Sequence, residues 1–222
     1  VTFSSTERFC RVLGALLELA SKLSHSEQIT AAFRNGRYLF ARNRWQAAEE
    51  QLLEAQRLQI ENEEPLSLQV TLLLGRAQAQ QQRYEDAIDT IQNALSEAHR
   101  RRNRPGQIDS LIVLAEIEQA RENLAASENY LQQARTLGPR YDTATQARLD
   151  YSLGRLAFVR GHYAEALNLG RRAEALQQAI ANREGVASAL LLLAATLARQ
   201  HEFAAALANY AHAQLIFQQI GN

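Results

Sequence analysis

The chain has 222 residues, which is enough for one or two ordinary domains or for one elongated array. Hydrophobic residues make up 46% and charged residues 22%, the balance of a folded protein and not of a disordered one. The 24 basic and 24 acidic residues cancel, so nothing calls for a polyanion as the main partner, and we do not expect nucleic acid as the ligand.

The first predicted element is an amphipathic helix within residues 1–28. We interpret it as helix B of a preceding, partial repeat, because its spacing fits the repeat described next. The chain begins at Val1 and contains no Met, so we expect it to be cut from a longer array. The apolar residues of this helix recur at i, i+3 and i+4 and are Phe9, Val12, Leu13, Leu16, Leu17, Ala20 and Leu23.

Residues 29–222 carry one pattern five times. A large residue is followed three positions later by a small one and, after seven more, by Ala. Successive large residues are 39, 40, 39 and 40 positions apart. The large residues are Trp45, Tyr84, Leu124, Tyr163 and Phe203, the small ones are Ala48, Ala87, Ser127, Ala166 and Ala206, and the alanines are Ala55, Ala94, Ala134, Ala173 and Ala213.

A second small column lies nine residues before each large residue, with a short polar turn between the two. Each unit is therefore predicted to be helix A, turn, helix B, and small residues let the two backbones approach closely. One pair cannot bury both of its faces, so the units must stack into an all-α, right-handed superhelical solenoid. The small column is Gly36, Gly75, Ala115, Gly154 and Ala194, and the predicted repeats are about 29–67, 68–107, 108–146, 147–186 and 187–222.

These columns resemble the tetratricopeptide repeat, most closely in the second unit. The standard unit of that family has ~34 residues, whereas this one has 39–40. Longer units of this kind look like the sensor arrays of bacterial signalling proteins such as LuxR-type activators of the maltose-regulator kind. The residues that carry the resemblance are Leu74, Gly75, Tyr84, Ala87, Ile88, Ile91, Ala94 and Leu95.

The resemblance implies that helix A lines a concave face, so that its outward positions form a ligand groove. An arginine column on this face is flanked by apolar and aromatic residues at i, i+4 and i+7 spacing. Arginine binds carboxylate or phosphate and stacks on aromatic rings. The alternative is that these are solvated surface arginines whose apolar neighbours pack between repeats. The predicted groove residues are Phe33, Arg37, Phe40, Leu72, Arg76, Ile112, Glu116, Tyr151, Arg155 and Phe158.

No enzyme, metal or cofactor motif stands out. The phosphate-loop, dinucleotide, zinc-protease and nucleophile-elbow patterns do not occur, and Cys10 is the single cysteine. No apolar run is long enough to span a membrane, and we expect a cytoplasmic protein. The function we expect is non-catalytic recognition of a protein, a peptide or a small effector.

Three classes of protein compete. The first is the sensing segment of a larger bacterial transcription or signalling regulator, and the second is a free-standing adaptor. The third, an enzyme or a nucleic-acid binder using the basic run at 100–104, is the weakest. Gly170 adds a separate hypothesis, because it stands in a column otherwise held by large residues and predicts a notch between repeats.

Overall fold

The computed structural model describes residues 24–137 and 142–220, which form ten α-helices. The chain divides into two compact units, Val1–Gln81 and Gln82–Asn222. The first holds α1 (His25–Ala41), α2 (Trp45–Glu61) and α3 (Leu68–Gln80). The second holds α4 (Tyr84–Arg100), α5 (Arg104–Ala120), α6 (Leu124–Thr136), α7 (Thr143–Val159), α8 (Tyr163–Ala179), α9 (Arg183–Arg199) and α10 (Phe203–Ile220). The predicted helix before residue 24, with Cys10, lies outside the described residues.

Within each unit the helices pack in chain order. In the first unit α1 packs on α2 and α2 on α3, and in the second every helix from α4 to α10 packs on its successor. Successive A helices also touch, as α5 does α7 and α7 does α9. The predicted all-α array of stacked helix pairs is confirmed. The right-handed sense of the superhelix and the repeat boundaries stay predictions.

The sequence columns mark helix starts and helix contacts. Every helix B begins at its large residue, so α2, α4, α6, α8 and α10 open at the five positions predicted. The three columns of small residues are buried throughout both units. Gly36 shows why: a Cβ there would lie 2.9 Å from Cγ of Leu52, a side chain that is itself fully buried.

Side chains cap most of the A helices. Ser24 and Glu27 form a capping box at α1, in which each side chain accepts a backbone N–H of the other residue. In the second unit Asn103, Asp142 and Asn182 cap α5, α7 and α9 by accepting the backbone N–H three residues on. These caps satisfy donors that the first turn of a helix leaves free.

The turns between helices use the left-handed backbone region. At the end of α5, Glu122 has φ 63°, and the N–H groups of Glu122 and Asn123 donate back to the carbonyls of Gln119 and Glu118. This is a Schellman motif, which usually places Gly at the left-handed residue. The residues with positive φ in the described chain are Asn43, Glu63, Gln82, Arg102, Glu122, Gly161, Ala181 and His201.

The residue that ends helix A also ties successive repeats together. In the first unit Nε2 of Gln81 donates to Glu49 of α2 at 2.7 Å. In the second unit Arg160 reaches back 32 positions to Glu128 of α6 at 2.8 Å. The Gln81–Glu49 and Arg160–Glu128 contacts repeat one arrangement with different donors, whereas Arg121 pairs with Glu85, the second residue of α4, 36 positions back.

The predicted notch at Gly170 is wrong. A Cβ on Gly170 would lie 2.8 Å from Cδ2 of Leu193, and Cδ2 of Leu192 would be 3.7 Å away. The space is therefore filled from helix A of the following repeat, α9. A large side chain on one helix has taken the place that the glycine vacates on the other.

Candidate functional site

The predicted groove residues lie on the A helices, which are α1 and α3 in the first unit and α5, α7 and α9 in the second. The buried small column fixes the rotation of each helix, because it faces the paired helix B. The face of the A helices that carries the ten predicted groove residues is called the groove face below, and each unit is described by itself.

In the first unit, Arg37 is exposed and its guanidinium lies over the ring of Phe33, 5.9 Å from the centroid. Phe33 and Phe40 are half-buried and pack against a core cluster that includes Leu52 and Leu74. Phe40 also meets Trp45 edge to face at 4.9 Å between centroids. The two aromatic rings thus serve the core and leave only part of their surface for a ligand.

On α3 the two predicted residues differ. Leu72 is buried, with 8% of its surface exposed, so it offers little to a ligand. Arg76 is half-buried and already has an interaction partner.

In the second unit, Glu116 of α5 lies close to Tyr151 and Arg155 of α7. Burial raises the pKa of the Tyr151 hydroxyl, Arg155 opposes that rise and Glu116 adds to it. All three side chains are half-buried, and Glu116 has an interaction partner. Ile112 is different: it is 2% exposed and belongs to the core cluster around Leu131 and Leu149.

Phe158 completes the predicted set on α7. It is half-buried, and its ring lies 6.1 Å from that of Tyr163. The guanidinium of Arg199, from α9, lies over the ring of Phe158, 6.0 Å from the ring centroid. Two neighbouring A helices therefore meet at Phe158 through an arginine–aromatic contact.

Sequence reasoning missed an ion pair between successive A helices. Arg148 of α7 and Asp109 of α5 are 2.7 Å apart, and Arg148 lies one turn before Tyr151 on the same helix. The signal was available, because the two residues are 39 positions apart and so occupy the same place in consecutive repeats. Arg199 was missed because it lies beyond the three columns that defined the groove.

Two exposed apolar side chains extend the groove face. Val159 follows Arg155 by one turn and is 54% exposed, and Leu191 of α9, which stands in the same column as Tyr151, is 39% exposed. Together with Arg155 they offer a guanidinium flanked by apolar surface. This arrangement can bind an acidic group next to an apolar side chain.

The basic run at 100–104 is already engaged in part. Arg100 and Arg101 both pair with Glu97 on their own helix.

The described ranges hold no group of three or more His, Cys, Asp or Glu side chains that could hold a metal ion. Among the helices of residues 24–137 and 142–220, none is both long and apolar enough to cross a membrane.

Comparison with known proteins gives the class of the repeats. Residues 33–107 match the tetratricopeptide repeat family model. The resemblance to the tetratricopeptide repeat found in the sequence is therefore confirmed. No curated protein sequence matches the chain.

Solved structures of low identity share the fold. BtubC (BKLC) from P. vanneervenii is 18% identical, with a TM-score of 0.58, 90% of this chain covered and 94% of that one. NprR in complex with its cognate peptide NprX is 15% identical, with a TM-score of 0.73 and coverage of 93% and 61%. A Rap protein complexed with competence and sporulation factor is 14% identical, with a TM-score of 0.64 and coverage of 91% and 57%. The chain thus spans less than two thirds of the NprR and Rap chains.

Proposed function

We propose that the chain is a non-catalytic binding scaffold that takes a peptide, a partner helix or a small effector on its groove face. One observation carries the proposal: Tyr151, Arg155 and Phe158 occupy one face of α7 and remain partly exposed, with Val159 and Leu191 beside them. Phe158 contacts the ring of Tyr163 and the guanidinium of Arg199, so this part of the surface is ordered before a ligand arrives.

The chemistry of this surface favours an acidic ligand group next to an apolar one. The guanidinium of Arg155 is half-buried, and a partly desolvated arginine binds carboxylate more strongly than one in bulk water does. Val159 and Leu191 supply the apolar contact. A short peptide with an acidic residue and an aliphatic residue a few positions apart satisfies both.

In its wider setting, we propose that the chain is the ligand-sensing or partner-sensing segment of a larger bacterial transcription or signalling regulator. The complexes of NprR with NprX and of Rap with competence and sporulation factor support a sensing role for an array of this fold. The alternative is a free-standing adaptor, and since this chain covers 94% of the BtubC chain, an array of this fold can make up nearly a whole chain. The complete reading frame on both sides of Val1 and Asn222 separates the two, since a regulator carries switch or DNA-binding domains.

A peptide library tests the binding surface directly. The immobilised 222-residue chain is incubated with a library of mixed-sequence short peptides, and the retained peptides are sequenced. We expect enrichment of Asp or Glu next to aliphatic residues, and we expect Arg155→Ala to weaken binding of an enriched peptide roughly tenfold, the loss of one charge-assisted contact. In the first unit, replacing Arg37 and Arg76 together tests the groove residues predicted there, and the change should leave helical content unaltered.

The matched control is Arg171→Ala, an exposed arginine on the outer side of α8. It should leave peptide affinity unchanged. Equal affinities for wild type and Arg155→Ala would show that the groove assignment is wrong.

A salt titration against DNA tests whether the chain is instead a nucleic-acid binder. Binding at low salt that weakens steeply as salt is added would favour that class.

A further inference from the structure

The first helix of the first unit carries a concentration of positive charge. Residues 28–48 contain four arginines and no Asp, Glu or Lys, although the whole chain is neutral. All four side chains are exposed, and none forms an ion pair with a carboxylate of the described residues. The two carboxylates that flank this stretch are engaged elsewhere, since Glu27 accepts from Ser24 and Glu49 accepts from Gln81. The four arginines are Arg34, Arg37, Arg42 and Arg44.

Two of these guanidiniums are held over aromatic rings. That of Arg42 lies 5.2 Å from the ring centroid of Tyr38, a side chain that is 57% exposed. That of Arg37 lies 5.9 Å from the ring centroid of Phe33. Such a contact covers the face of a guanidinium and leaves its N–H edge open. The edge can then donate two parallel hydrogen bonds to an anion.

The same side of the other A helices is a joint between repeats. Leu192 of α9 lies there, and its Cδ2 is 3.7 Å from the place of a Cβ on Gly170 of the preceding helix B. Arg34 occupies the column of Leu192, and Tyr38 occupies a column whose other four members are buried. In α1 both positions are exposed. The residues that share the two columns are Leu73, Val113, Ser152 and Leu192, and Ala77, Ile117, Leu156 and Thr196.

A neutral cover does not suit this side of α1. An apolar helix that packed on it as α2 packs on α3 would desolvate Arg34, and burying a guanidinium without a carboxylate lowers stability. Arg34 and Arg37 also lie one turn apart, and like charges at that spacing weaken a helix slightly. Neither packing between repeats nor helix stability accounts for the arginines, whereas an anionic partner does.

We propose that the basic stripe of α1 (Arg34, Tyr38 and Arg42) binds an acidic segment of a partner protein, with a carboxylate at each arginine and an apolar side chain on Tyr38. The three residues are spaced i, i+4 and i+8, so the two arginines are about 12 Å apart along the helix axis. Two acidic residues eight positions apart on a partner helix match that distance. The basic stripe shares no residue with the groove face, so this proposal does not rest on the proposed function.

Protein is favoured over nucleic acid as the source of the negative charge. Affinity for nucleic acid grows with the number of phosphates that are neutralised, and four arginines on a neutral chain offer few contacts. Base stacking needs an open aromatic ring, and the Arg42 guanidinium covers one face of Tyr38. The segment before residue 24 does not supply the charge, since it contains three basic and two acidic residues.

Fluorescence anisotropy of the 222-residue chain with two labelled helical peptides of identical composition tests the proposal. In the first peptide two glutamates stand eight positions apart with a leucine midway, and in the second the same residues lie on opposite faces. The first should bind about tenfold more tightly, the gain from one additional charge-assisted contact. Arg34→Ala with Arg42→Ala should abolish this preference. Arg34→Glu with Arg42→Glu should transfer it to a peptide that has lysines in place of the glutamates.

The matched control is Arg102→Ala with Arg104→Ala, which removes the same charge from another pair of exposed arginines and should leave the preference intact. Arg155→Ala, on the groove face, should also leave it intact, and circular dichroism checks the helical content of each variant. Equal affinities of the two peptides, or equal weakening by the control pair, would overturn the proposal. So would a single-stranded DNA oligonucleotide that binds more tightly than either peptide and is lost with Arg34 and Arg42.

Discussion

Asp150 is a buried carboxylate of the second unit whose two oxygens are satisfied unequally. Oδ1 accepts a 2.8 Å hydrogen bond from Gln146, and Nη2 of Arg172 lies 3.1 Å from Oδ2. That distance suits an ion pair, but the geometry is not that of a hydrogen bond, and Oδ2 accepts none. Burial raises the pKa of the Asp150 carboxyl, and Arg172, Gln146 and Arg135 offset only part of that rise.

Asp150→Asn should therefore stabilise the protein at neutral pH by about 1 kcal/mol, the scale of one poorly satisfied buried polar group. The raised pKa means that the folded state binds a proton more readily than the unfolded state, so the charged carboxylate costs stability above that pKa. The cost vanishes as the pH falls towards the ordinary value of 3.8.

Urea denaturation of wild type and Asp150→Asn, at several pH values from 8 down to about 4, measures this difference. The difference in free energy of unfolding between Asp150→Asn and wild type should become smaller as the pH is lowered. Gln146→Leu is the companion variant, since it removes the one hydrogen bond to Oδ1 and should destabilise the charged form. A variant less stable than wild type at pH 7 would show that the Arg172 pair outweighs the cost of burial.

Ala181 occupies the left-handed position after α8 with φ 55°. Holding a residue with a Cβ in the left-handed region lowers the stability of the folded state by roughly 1–2 kcal/mol, and glycine lowers it less. Ala181→Gly should raise the free energy of unfolding by about 0.5–1 kcal/mol, after allowing for the greater freedom of glycine in the unfolded chain. Thermal unfolding followed by circular dichroism measures it.

The control for this substitution is two residues away. Ala179 is exposed and ends α8, so Ala179→Gly should lower stability by about 0.5–1 kcal/mol through loss of helix propensity. We therefore expect Ala181→Gly to raise the free energy of unfolding and Ala179→Gly to lower it. The same sign for both would mean that turn conformation does not limit stability here.

At the scale of the helix, close approach within a pair depends on the small columns. A Cβ on Gly36 would lie 2.9 Å from Cγ and 3.0 Å from Cδ2 of Leu52, and Leu52 cannot move because it is fully buried in the core of the first unit. Gly36→Ala should thus push α1 from α2 and destabilise the first unit by about 1–3 kcal/mol, although alanine favours helix.

The double variant Gly36→Ala, Leu52→Ala tests the cause. If the clash is responsible, Gly36→Ala should add little cost in a background where Leu52 has already been shortened. Chemical denaturation of the four proteins in this cycle gives the coupling energy. A coupling energy near zero would contradict the account of the close approach.

For the whole molecule, the sequence predicted the features that recur in every repeat and missed those that differ from one repeat to the next. The columns defined the helix pairs, the first residue of each helix B and the buried small positions, because the same packing recurs at each 39- or 40-residue interval. The columns gave no sign of the division after Gln81, which separates the two helices of the second repeat. The spacing of the sequence columns is the same before and after Gln81, so the columns could not predict this division.

The exposure of the residues on the groove face was predicted less well, for a physical reason. Helical periodicity shows which residues share a face but not how far a neighbouring repeat covers it. Leu72 and Ile112 have the spacing of groove residues, yet adjacent helices bury them. Arg148 and Asp109 form an ion pair between repeats, which periodicity within a single helix cannot show.

Gly170 and Leu193 carry a consequence for any attempt to reshuffle the modules. Leucine also stands at the position of Leu193 in the three preceding A helices, as Leu74, Leu114 and Leu153, although the helix B before each of them carries Leu52, Ile91 or Leu131 in the column of Gly170. The fourth module has therefore lost bulk at its joint with α9, and the leucine common to the column fills the space. A module that brings leucine at this position should thus be accepted behind the fourth one without a matched change in its own sequence.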